Sequence, residues 1–472
     1  MVQKILTLGE QDWLSGLCPS ENTSIGGLFY QANGLDIARE PGFLMAGFNP
    51  TDIGGKTVVG TIKKFVSNLE GVTHYLYGVD DSGRVYKINT GTDAVSNISS
   101  SLNITSSVGN GLEIYNDYLI YIKNTEVRKY GLLSGTPSDS SVDVNLGQPS
   151  GVTLNHPSIV HPNGNLYIAD YNSSDNRVEV DMYDGTNYYH NVLNLPKEDK
   201  IIKFATDGYY LIILTSTNPS NPGSKGKSKI LFWDTTSDSF NRQYIIPGEY
   251  GATNMFFYQK TNSVLVFTPY IMYETNYDIA PREYLKADSL DGMYSFNSYG
   301  VDYHFGNLLF SYDDDIYMYG SPYKGVNNVV WSPVSGVGTG ITALKSVLMN
   351  RIYVASASNK LYCLKTGQQS GVMGETHYID LRAKWKITGV KLVTSLLASG
   401  QSVGININEM SGLNNIIQGS FGYSTHGAVT SGKILTQGTG KTEAEQIQIQ
   451  ITLNGNVKLK RLEVWGEPIK EF

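Results

Sequence analysis

Acidic and histidine side chains are the residues of this chain that offer metal-ligand chemistry. The densest acidic run is Asp313-Asp-Asp315, and closely spaced carboxylate oxygens are ligands for Ca²⁺. The run lacks the ligand alternation and the glycine of a calcium loop and precedes the strand-like Ile316–Tyr319, so we predict a solvated turn. No two of the seven histidines form a His-x-x-x-His pair, and His156 and His161 flank a proline-containing turn. We therefore predict no metal site.

Nucleophile and phosphate motifs are also absent from the sequence. It contains no Gly-x-Ser-x-Gly elbow and no Gly-rich phosphate loop. Carboxylates far apart in sequence that meet in the folded chain, as in glycosidases, are an alternative that one sequence leaves open. We predict no catalytic residues, no cofactor and no enzymatic activity.

The elements that must position any site are recurring aromatic β-hairpins. His74–Ile88 is one copy, with an alternating strand, a polar turn and a second alternating strand. Starts of neighbouring central strands differ by roughly 36 to 54 residues, which brackets the repeat of propeller blades. The predicted central strands are 73–79, 118–123, 166–171, 209–216, 263–268, 315–320 and 351–356. We predict an all-β fold with a β-propeller of about seven blades over residues 61–372, with six or eight as alternatives.

The two ends of the chain differ from this pattern. Residues 373–472 contain longer strands, of which Gln446–Leu453 alternates strictly, and we predict a separate C-terminal β-sandwich. The strand Val457–Val464 loses phase between Leu459 and Leu462, which predicts a β-bulge. Residues 1–60 are punctuated by glycine and proline, and we predict an extended arm that closes the propeller ring or lies on a neighbouring subunit.

Composition narrows the possible functions and locations. The net charge of −7 argues against nonspecific nucleic-acid binding. Cys18 and Cys363 form no disulfide framework, which is typical of a reducing cytosol. No apolar stretch is long enough to span a bilayer, so we expect no membrane insertion. The first residues lack the apolar core of a secretory signal, so we also expect nothing here to direct export.

Two short segments resemble known propeller repeats. Residues 162–185 are similar to an NHL repeat, and the resemblance implies that Asp170 and Arg177 pair across the blade. The dipeptide Trp233-Asp234 resembles the end of a WD40 blade but has no second copy. Both patterns concern the scaffold, and a propeller scaffold hosts many unrelated functions.

The order of the parts carries a further resemblance. An N-terminal arm with the phrase Asp36-x-x-Arg39-x-x-Gly42 precedes a tyrosine-rich propeller, and a strand-rich module with the phrase Trp385–Ile387 follows. This arrangement resembles the propeller-bearing nozzle or hub subunits of short-tailed bacteriophages. The resemblance implies a viral structural protein of the virion tail, assembled in the host cytoplasm. It also implies a ring around the DNA exit channel, with DNA as passing cargo and with adaptor, fibre or spike proteins as partners.

The apolar residues of the arm are the predicted subunit interface of a homo-oligomer, because a monomer rarely exposes so many together. They are Leu28, Phe29, Tyr30, Leu35, Ile37, Phe43 and Leu44. Two alternatives to a tail protein stay open. One is a carbohydrate-binding or carbohydrate-active propeller, and the other is an NHL-like propeller that binds proteins.

Overall fold

The structure is a computed structural model of the 472-residue chain. It describes residues 2–16, 28–40, 42–55, 57–70, 72–80, 84–98, 111–123, 125–131, 139–143, 146–147, 156–172, 174, 177–196, 199–217, 225–286, 296–304, 306–312, 315–321, 329–334, 337, 340–347, 351–366, 370–409, 415–435 and 443–469.

The N-terminal segment contributes short strands to two different sheets. Its elements are β1 (Gln3–Leu8), α1 (Glu10–Trp13), β2 (Phe29–Asn33), β3 (Leu35–Asp36), β4 (Leu44–Ala46) and β5 (Phe48–Asp52). The first four strands belong to a sheet of the C-terminal module, whereas β5 joins the propeller. The N-terminal segment therefore pairs with strands of both the C-terminal module and the propeller.

Antiparallel four-stranded meanders make up most of the described chain, and five of them are separate sheets. Their strands are β6 (Ile62–Glu70), β7 (Thr73–Asp80), β8 (Val85–Asn89) and β9 (Ala94–Asn97); β10 (Glu113–Tyr115), β11 (Tyr118–Lys123), β12 (Glu126–Gly131) and β13 (Asp139–Asp143); β14 (Ser158–Val160), β15 (Leu166–Asn172), β16 (Arg177–Tyr183) and β17 (Tyr188–Asn194); β18 (Lys200–Thr206), β19 (Leu211–Ser216), β20 (Ser228–Trp233) and β21 (Arg242–Ile245); β22 (Asn254–Tyr258), β23 (Ser263–Phe267), β24 (Ile271–Thr275) and β25 (Arg282–Lys286).

Two further four-stranded units share an eight-stranded sheet. The first unit contains β26 (Phe296–His304), β27 (Asn307–Tyr312), β28 (Asp315–Gly320) and β29 (Val329–Val334). The second contains β30 (Ile341–Val347), β31 (Arg351–Ser356) and β32 (Lys360–Thr366), with β5 as its outermost strand. A single parallel pair, Val334 with Phe48, joins the two units.

The first strands of these sheets and units form a closed circle. Strand β6 contacts β10, and the contacts continue through β14, β18, β22 and β26 to β30, which returns to β6. The predicted all-β propeller is thus confirmed. The number of separate sheets differs from the predicted count of about seven blades. Five four-stranded sheets stand alone, and the remaining two four-stranded units are joined in one sheet. Below, blades are numbered from the sheet that begins with β6 to the unit that begins with β30.

Burial on both faces explains why the inner strands of the blades are so apolar. Every residue of β19 is buried. Leu211 and Ile213 pack toward blade 3, whereas Ile212 and Leu214 pack toward blade 5. A strand between two neighbouring blades has no solvent face, so its side chains on both faces are apolar.

The C-terminal module is an 11-stranded branched sheet. Its strands are β33 (Ser370–Thr376), β34 (Ile379–Thr394), β35 (Ser402–Glu409), β36 (Asn415–Gly422), β37 (Ser431–Leu435), β38 (Glu443–Asn454) and β39 (Lys458–Pro468), together with β1 to β4, and α2 (Tyr423–His426) follows β36. The predicted two-sheet sandwich is not seen in the described part of this module. Strands β34 and β38 are long, and each pairs with different neighbours along its length, which joins all strands in one sheet.

One apolar core connects the C-terminal module to the propeller. It contains Leu44 and Phe29 of the N-terminal segment, Ile449 of β38, and Trp331 and Ile352 of the two joined units. Cys363 is a free buried thiol on the propeller side, and Cys18 lies outside the described residues. No described helix has the length and apolar character needed to cross a membrane.

Candidate functional site

Charged side chains from five different blades meet on the propeller axis. We call this group, with an asparagine of a sixth blade, the axial ring; its members are Lys64, Glu113, Lys203, Asn254, Asp302 and Lys345. Each member lies in the first strand of its blade, and these strands contact one another in a circle. The charges of Lys64, Glu113, Asp302 and Lys345 all act on Lys203. Groups from blades 1, 2, 4, 6 and 7 approach one another in this way only around the axis.

Two lysines of the axial ring are paired with carboxylates of neighbouring blades. Lys64 Nζ lies 2.9 Å from Glu113 Oε1, which joins blade 1 to blade 2. Lys345 Nζ lies 3.2 Å from Asp302 Oδ2, which joins blade 7 to blade 6. The backbone N–H of Ser346 also donates to Asp302, at 2.7 Å. These pairs tie neighbouring blades together at the narrow centre of the ring.

Lys203 differs from the other two axial lysines. Its ammonium donates to Asn254 Oδ1 on the next blade. No carboxylate among the described residues lies within ion-pair distance of it. Burial lowers the pKa of Lys203 to about 7, and repulsion by Lys64 acts in the same direction. The ring therefore carries one more positive than negative charge when Lys203 is protonated.

A second cluster is buried in blade 3, facing blade 2. It contains Asp170 of β15 and Asp181 of β16, both of them buried. Gly147 N donates to Asp170 Oδ1 at 2.7 Å, and Asn191 N donates to Asp181 Oδ1 at 2.8 Å. His190 Nδ1 lies 2.9 Å from Asp181 Oδ2.

Burial, together with the neighbouring charge of Asp181, raises the pKa of Asp170 to about 8. Burial also raises the pKa of Asp181, although the Asn191 N–H and His190 oppose the shift. Two carboxyl groups that share a buried site retain a proton, because both cannot ionise there at low energy. At neutral pH this pair is therefore suited to hold one proton between its two members.

The same cluster has ligand atoms of the types that bind a divalent cation. One ligand atom each of Asp170, Asp181 and His190 lies within 4.8 Å of the others. From the sequence we predict no metal site, and Asp181 is not among the residues singled out there. Hydrogen bonds with Gly147 N, Asn191 N and His190 already engage both carboxyl groups, so we assign no metal to them.

The ion pair that the NHL resemblance implies between Asp170 and Arg177 is not seen among the described residues, and the two residues are not directly opposite each other. Asp170 lies opposite Glu179, and Arg177 lies opposite Asn172, one step further along the hairpin. The pairing of Asp170 with Gly147 N and its closeness to Asp181 replace the predicted ion pair.

Aromatic side chains from hairpin turns of blades 4 and 5 form a cluster. The rings of Tyr210 and Tyr277 are stacked at 4.4 Å, and the Arg242 guanidinium lies 4.5 Å from the centre of the Tyr277 ring. Tyr209, next to Tyr210, is well exposed. The segment that holds Tyr277 also borders a cavity of about 230 Å³ that is lined by Thr261, Ser263, Glu274, Thr275, Asn276, Ile279 and Arg282.

The predicted interface residues of the N-terminal segment lie mainly inside the chain. Phe29, Leu35, Ile37 and Leu44 are buried in the core of the C-terminal module, and Leu28 packs against that core. Phe43 is half-buried, and the side chain of Tyr30 lies outside the described part of the structure. Burial within one chain removes the reason for assigning these residues to a subunit contact, and the contact itself remains a prediction.

The arm's Asp-x-x-Arg phrase forms a local turn between β3 and β4. Asp36 is buried, accepts a hydrogen bond from Ala38 N at 2.9 Å and lies 3.0 Å from Arg39 Nε. Arg39 also donates to the carbonyl oxygen of Ala46. Gly42 follows with φ of 85°, a conformation that favours glycine. The phrase is thus explained by the turn it builds.

The other residues singled out from the sequence lie in turns, at the start of a strand or in the core where they are described. Asp313 and Asp314 lie outside the described residues, and Asp315 begins β28. Trp233 is buried and donates to Ser237 O at 2.7 Å, while Asp234 accepts hydrogen bonds in the turn that follows. His156 and His161 are both buried in blade 3, and burial lowers the pKa of each.

The axial lysines were missed by the sequence analysis, although a signal for them exists. Lys203 is a single charge between Ile202 and Phe204, and Lys345 stands between Leu344 and Ser346. A lone lysine in the first, apolar strand of several repeats marks positions that point to the axis. Only knowledge of which hairpin strand is innermost makes this signal usable.

Neither a protein-family model nor a curated protein matches the chain. Similar solved structures include YCF48 bound to D1 peptide, at 10% identity over 68% of this chain and 95% of that chain, with a TM-score of 0.46. The β-propeller domain of Myceliophteria thermophila Cps50 (Swd1) is 12% identical over 68% of this chain and 99% of its own, also with a TM-score of 0.46. The WD40 propeller domain of Doa1 is 11% identical over 65% of this chain and 93% of that chain, with a TM-score of 0.41. At such low TM-scores these similarities carry no argument about function.

Proposed function

We propose that the chain is a non-catalytic structural subunit of a bacteriophage tail that forms a nozzle- or hub-like ring and joins other tail proteins. One observation carries the proposal beyond the resemblance in the order of parts. The N-terminal segment supplies strands both to the C-terminal sheet and to the last blade, around a shared core. Because the propeller and the C-terminal module share these strands and this core, the chain is suited to a scaffold that transmits force between partners.

The surface that we propose for subunit contacts is on the C-terminal module. Leu396 is 63% exposed and Tyr423 is 40% exposed. Leu396 lies between β34 and β35, and Tyr423 begins α2. The two segments adjoin, because Tyr423 N donates to Gln401 O at 3.0 Å and Leu397 N donates to Val429 O at 3.3 Å. Exposed apolar side chains on adjoining segments are suited to the centre of an interface.

The test is the mass of the full-length chain in solution, measured by light scattering with tail partners present and combined with electron microscopy of the particles. We expect a ring for the natural chain and monomers for the double variant Leu396→Asp/Tyr423→Asp. Val72→Asp is the matched control, because Val72 is 99% exposed on the propeller and lies outside the proposed surface. A natural chain that stays monomeric at high concentration with its partners present contradicts the proposal.

A carbohydrate-binding propeller is the second candidate, and the aromatic cluster of blades 4 and 5 favours it. Aromatic rings beside carboxylate, amide and guanidinium groups can bind a sugar face and its hydroxyls, and small-molecule sites combine an apolar surface with a few polar groups. Here Tyr209 is exposed, and Glu274, Asn276 and Arg282 line the neighbouring cavity.

A glycan-binding screen distinguishes the two candidates. If this surface binds sugars, Tyr209→Ala and Arg282→Gln weaken binding, whereas Leu396→Asp leaves it unchanged. If the chain is only a tail scaffold, no glycan is retained and the Tyr209 variant still assembles. Turnover of a glycan or peptide that is lost on substitution of one carboxylate contradicts the non-catalytic assignment in both cases.

A further inference from the structure

Lys203 is an axial lysine whose countercharge is missing among the described residues. The other two axial lysines are paired with carboxylates, at 2.9 Å for Lys64 and 3.2 Å for Lys345. Lys203 instead has the neutral amide oxygen of Asn254. An ammonium taken out of water requires a paired charge or several hydrogen bonds to offset its lost hydration. One amide acceptor supplies only part of that compensation.

The surroundings of Lys203 favour an anion over a second cation. Lys64 and Lys345 lie close enough for their charges to act on Lys203, and each of their carboxylates is already engaged. Glu113 and Asp302 offset the charges of Lys64 and Lys345, so protonated Lys203 gives the ring a net positive charge, and such a charge attracts anions. The side chains of Lys64 and Lys345 are partly exposed, so solvent reaches the ring.

We propose that Lys203 anchors an oxyanion-binding site on the propeller axis, which takes the phosphate or carboxylate group of a ligand. The anion accepts hydrogen bonds from the Lys203 ammonium, whose three donors are satisfied only in part by Asn254. Lys64 and Lys345 keep their own carboxylate partners, so the charge that binds the anion is that of Lys203. The depressed pKa of Lys203, about 7, agrees with a cation that lacks its counterion.

The experiment follows thermal unfolding of the full chain at pH 6.5, with phosphate, acetate and chloride titrated separately at constant ionic strength. A ligand that binds the folded state raises the unfolding midpoint with the logarithm of its concentration above its Kd. We expect phosphate or acetate to raise the midpoint and chloride to have no comparable effect. The arm that responds identifies the chemical source of the oxyanion.

Lys203→Met is the decisive variant, and Lys225→Met is its control because Lys225 is 78% exposed and lies far from the axis in a hairpin loop. The Lys203→Met substitution is expected to abolish the anion-dependent rise, and the control is expected to keep it. A general stabilising effect of phosphate through exclusion from the protein surface would appear equally in all three proteins. An equal response in Lys203→Met, or no response of the natural chain to either oxyanion, overturns the proposal.

A second measurement keeps the proposal testable if Lys203→Met does not fold. The pKa of Lys203 in the natural chain, measured by NMR on protein with labelled lysine, is expected to rise when the responding oxyanion is added. A pKa that does not change with phosphate or acetate contradicts the site. Because neither measurement depends on assembly, failure here is distinguishable from failure of the tail-subunit proposal.

Discussion

Asp170 and Asp181 lie on neighbouring strands of blade 3 with ligand oxygens within 4.8 Å of each other, and both side chains are buried. Backbone N–H groups of Gly147 and Asn191 bind one oxygen of each. His190 is a hydrogen-bond partner of Asp181, and His156 Nδ1 lies 4.0 Å from Asp170. Two acidic groups held so closely in the interior make the folded state sensitive to pH.

The first prediction concerns that sensitivity. The pKa of Asp170 is raised to about 8 in the folded chain, from 3.8 as its ordinary value. Between these pH values the Asp170 carboxyl is protonated in the folded state and ionised in the unfolded state, so its titration lowers the free energy of unfolding as pH rises. From pH 4 to 6.5 the titration of His304 acts in the opposite direction. The contribution of Asp170 to the slope approaches about 1.4 kcal/mol per pH unit at most and vanishes above pH 8. Urea denaturation from pH 4 to 9 measures it.

Asp170→Asn removes this titration while keeping the shape of the side chain. Its amide oxygen can accept from Gly147 N, and its NH₂ group can donate to Asp181. We expect the variant to gain stability relative to the natural chain as pH rises toward 8. Asp278→Asn is the control, because Asp278 is an exposed side chain on blade 5. Parallel stability curves for Asp170→Asn and the natural chain would show that Asp170 does not retain a proton.

Gly147→Ala is predicted to destabilise the same blade contact. A Cβ atom at Gly147 would lie 1.8 Å from the backbone oxygen of Tyr171, which forces the two segments apart and strains the bond from Gly147 N to Asp170. We expect a loss of roughly 1 to 3 kcal/mol in the free energy of unfolding. Gly404→Ala is the matched control, since its nearest side-chain neighbour, Thr452, is at an ordinary 3.4 Å. Equal stability of the two variants contradicts the close contact.

Hairpin chemistry made the propeller predictable from sequence. The predicted turns Asp184-Gly185 and Asp207-Gly208 both place glycine at positive φ, 99° and 100°. Asp184 Oδ1 accepts from the backbone N–H of Thr186 and Asn187, which is the local bonding expected of a turn aspartate. These interactions involve residues within a few positions of each other, so hairpins can be predicted from periodicity and turn residues in the sequence.

The predicted bulge in the last strand is also confirmed. Val393 pairs with Arg461 and Thr394 pairs with Leu459, which leaves Lys460 without a place in that ladder. Its backbone oxygen accepts a hydrogen bond from Trp13 Nε1 at 3.1 Å. The bulge was predictable from lost phase within one strand. The partner from the opposite end of the chain was not, because no local pattern specifies a contact across 447 positions.

The fate of the N-terminal residues shows the same limit. Their apolar character favours burial, and Phe29, Leu35, Ile37 and Leu44 are buried. Composition does not specify whether the covering surface belongs to the same chain or to another. Leu44 lies beside Leu459 of β39, a pairing set by the tertiary fold. The axial lysines were missed for a related reason, since the strand that is innermost follows from ring closure and not from its own sequence.

Leu44→Ala is predicted to destabilise the C-terminal module. Leu44 is fully buried in its core, so truncation removes apolar contacts and leaves a cavity worth roughly 2 to 5 kcal/mol. Leu396→Ala, at an exposed position of the same module, should change stability by less than about 0.5 kcal/mol. Chemical denaturation of both variants as monomers is the measurement. A small loss in the free energy of unfolding for Leu44→Ala would indicate that Leu44 lies on a surface that only a partner subunit covers.

The titration of His304 is predicted to act on stability in the opposite direction to that of Asp170 at acidic pH. Burial lowers the pKa of His304 to about 4 from 6.5, while its Nδ1 lies 2.8 Å from Ser346 Oγ and its ring meets the edge of Phe48. Below pH 6.5 His304 becomes protonated in the unfolded chain, whereas in the folded chain it becomes protonated only near pH 4. The stability that the neutral ring provides is therefore present above pH 6.5 and is lost as pH falls toward 4.

His304→Gln separates this effect from that of Asp170, because glutamine stays neutral and still offers a hydrogen-bond partner to Ser346. From pH 4 to 6.5 the titrations of His304 and Asp170 have opposite slopes, so each offsets part of the other in the natural chain. Relative to the natural chain, the glutamine variant should lose stability as pH rises through that range, by up to about 1.4 kcal/mol per pH unit, because it lacks the His304 titration. His426→Gln, at an exposed position of α2, should follow the natural chain. If the His304 variant also follows the natural chain, the ring is protonated in the folded state and its burial is less complete than described.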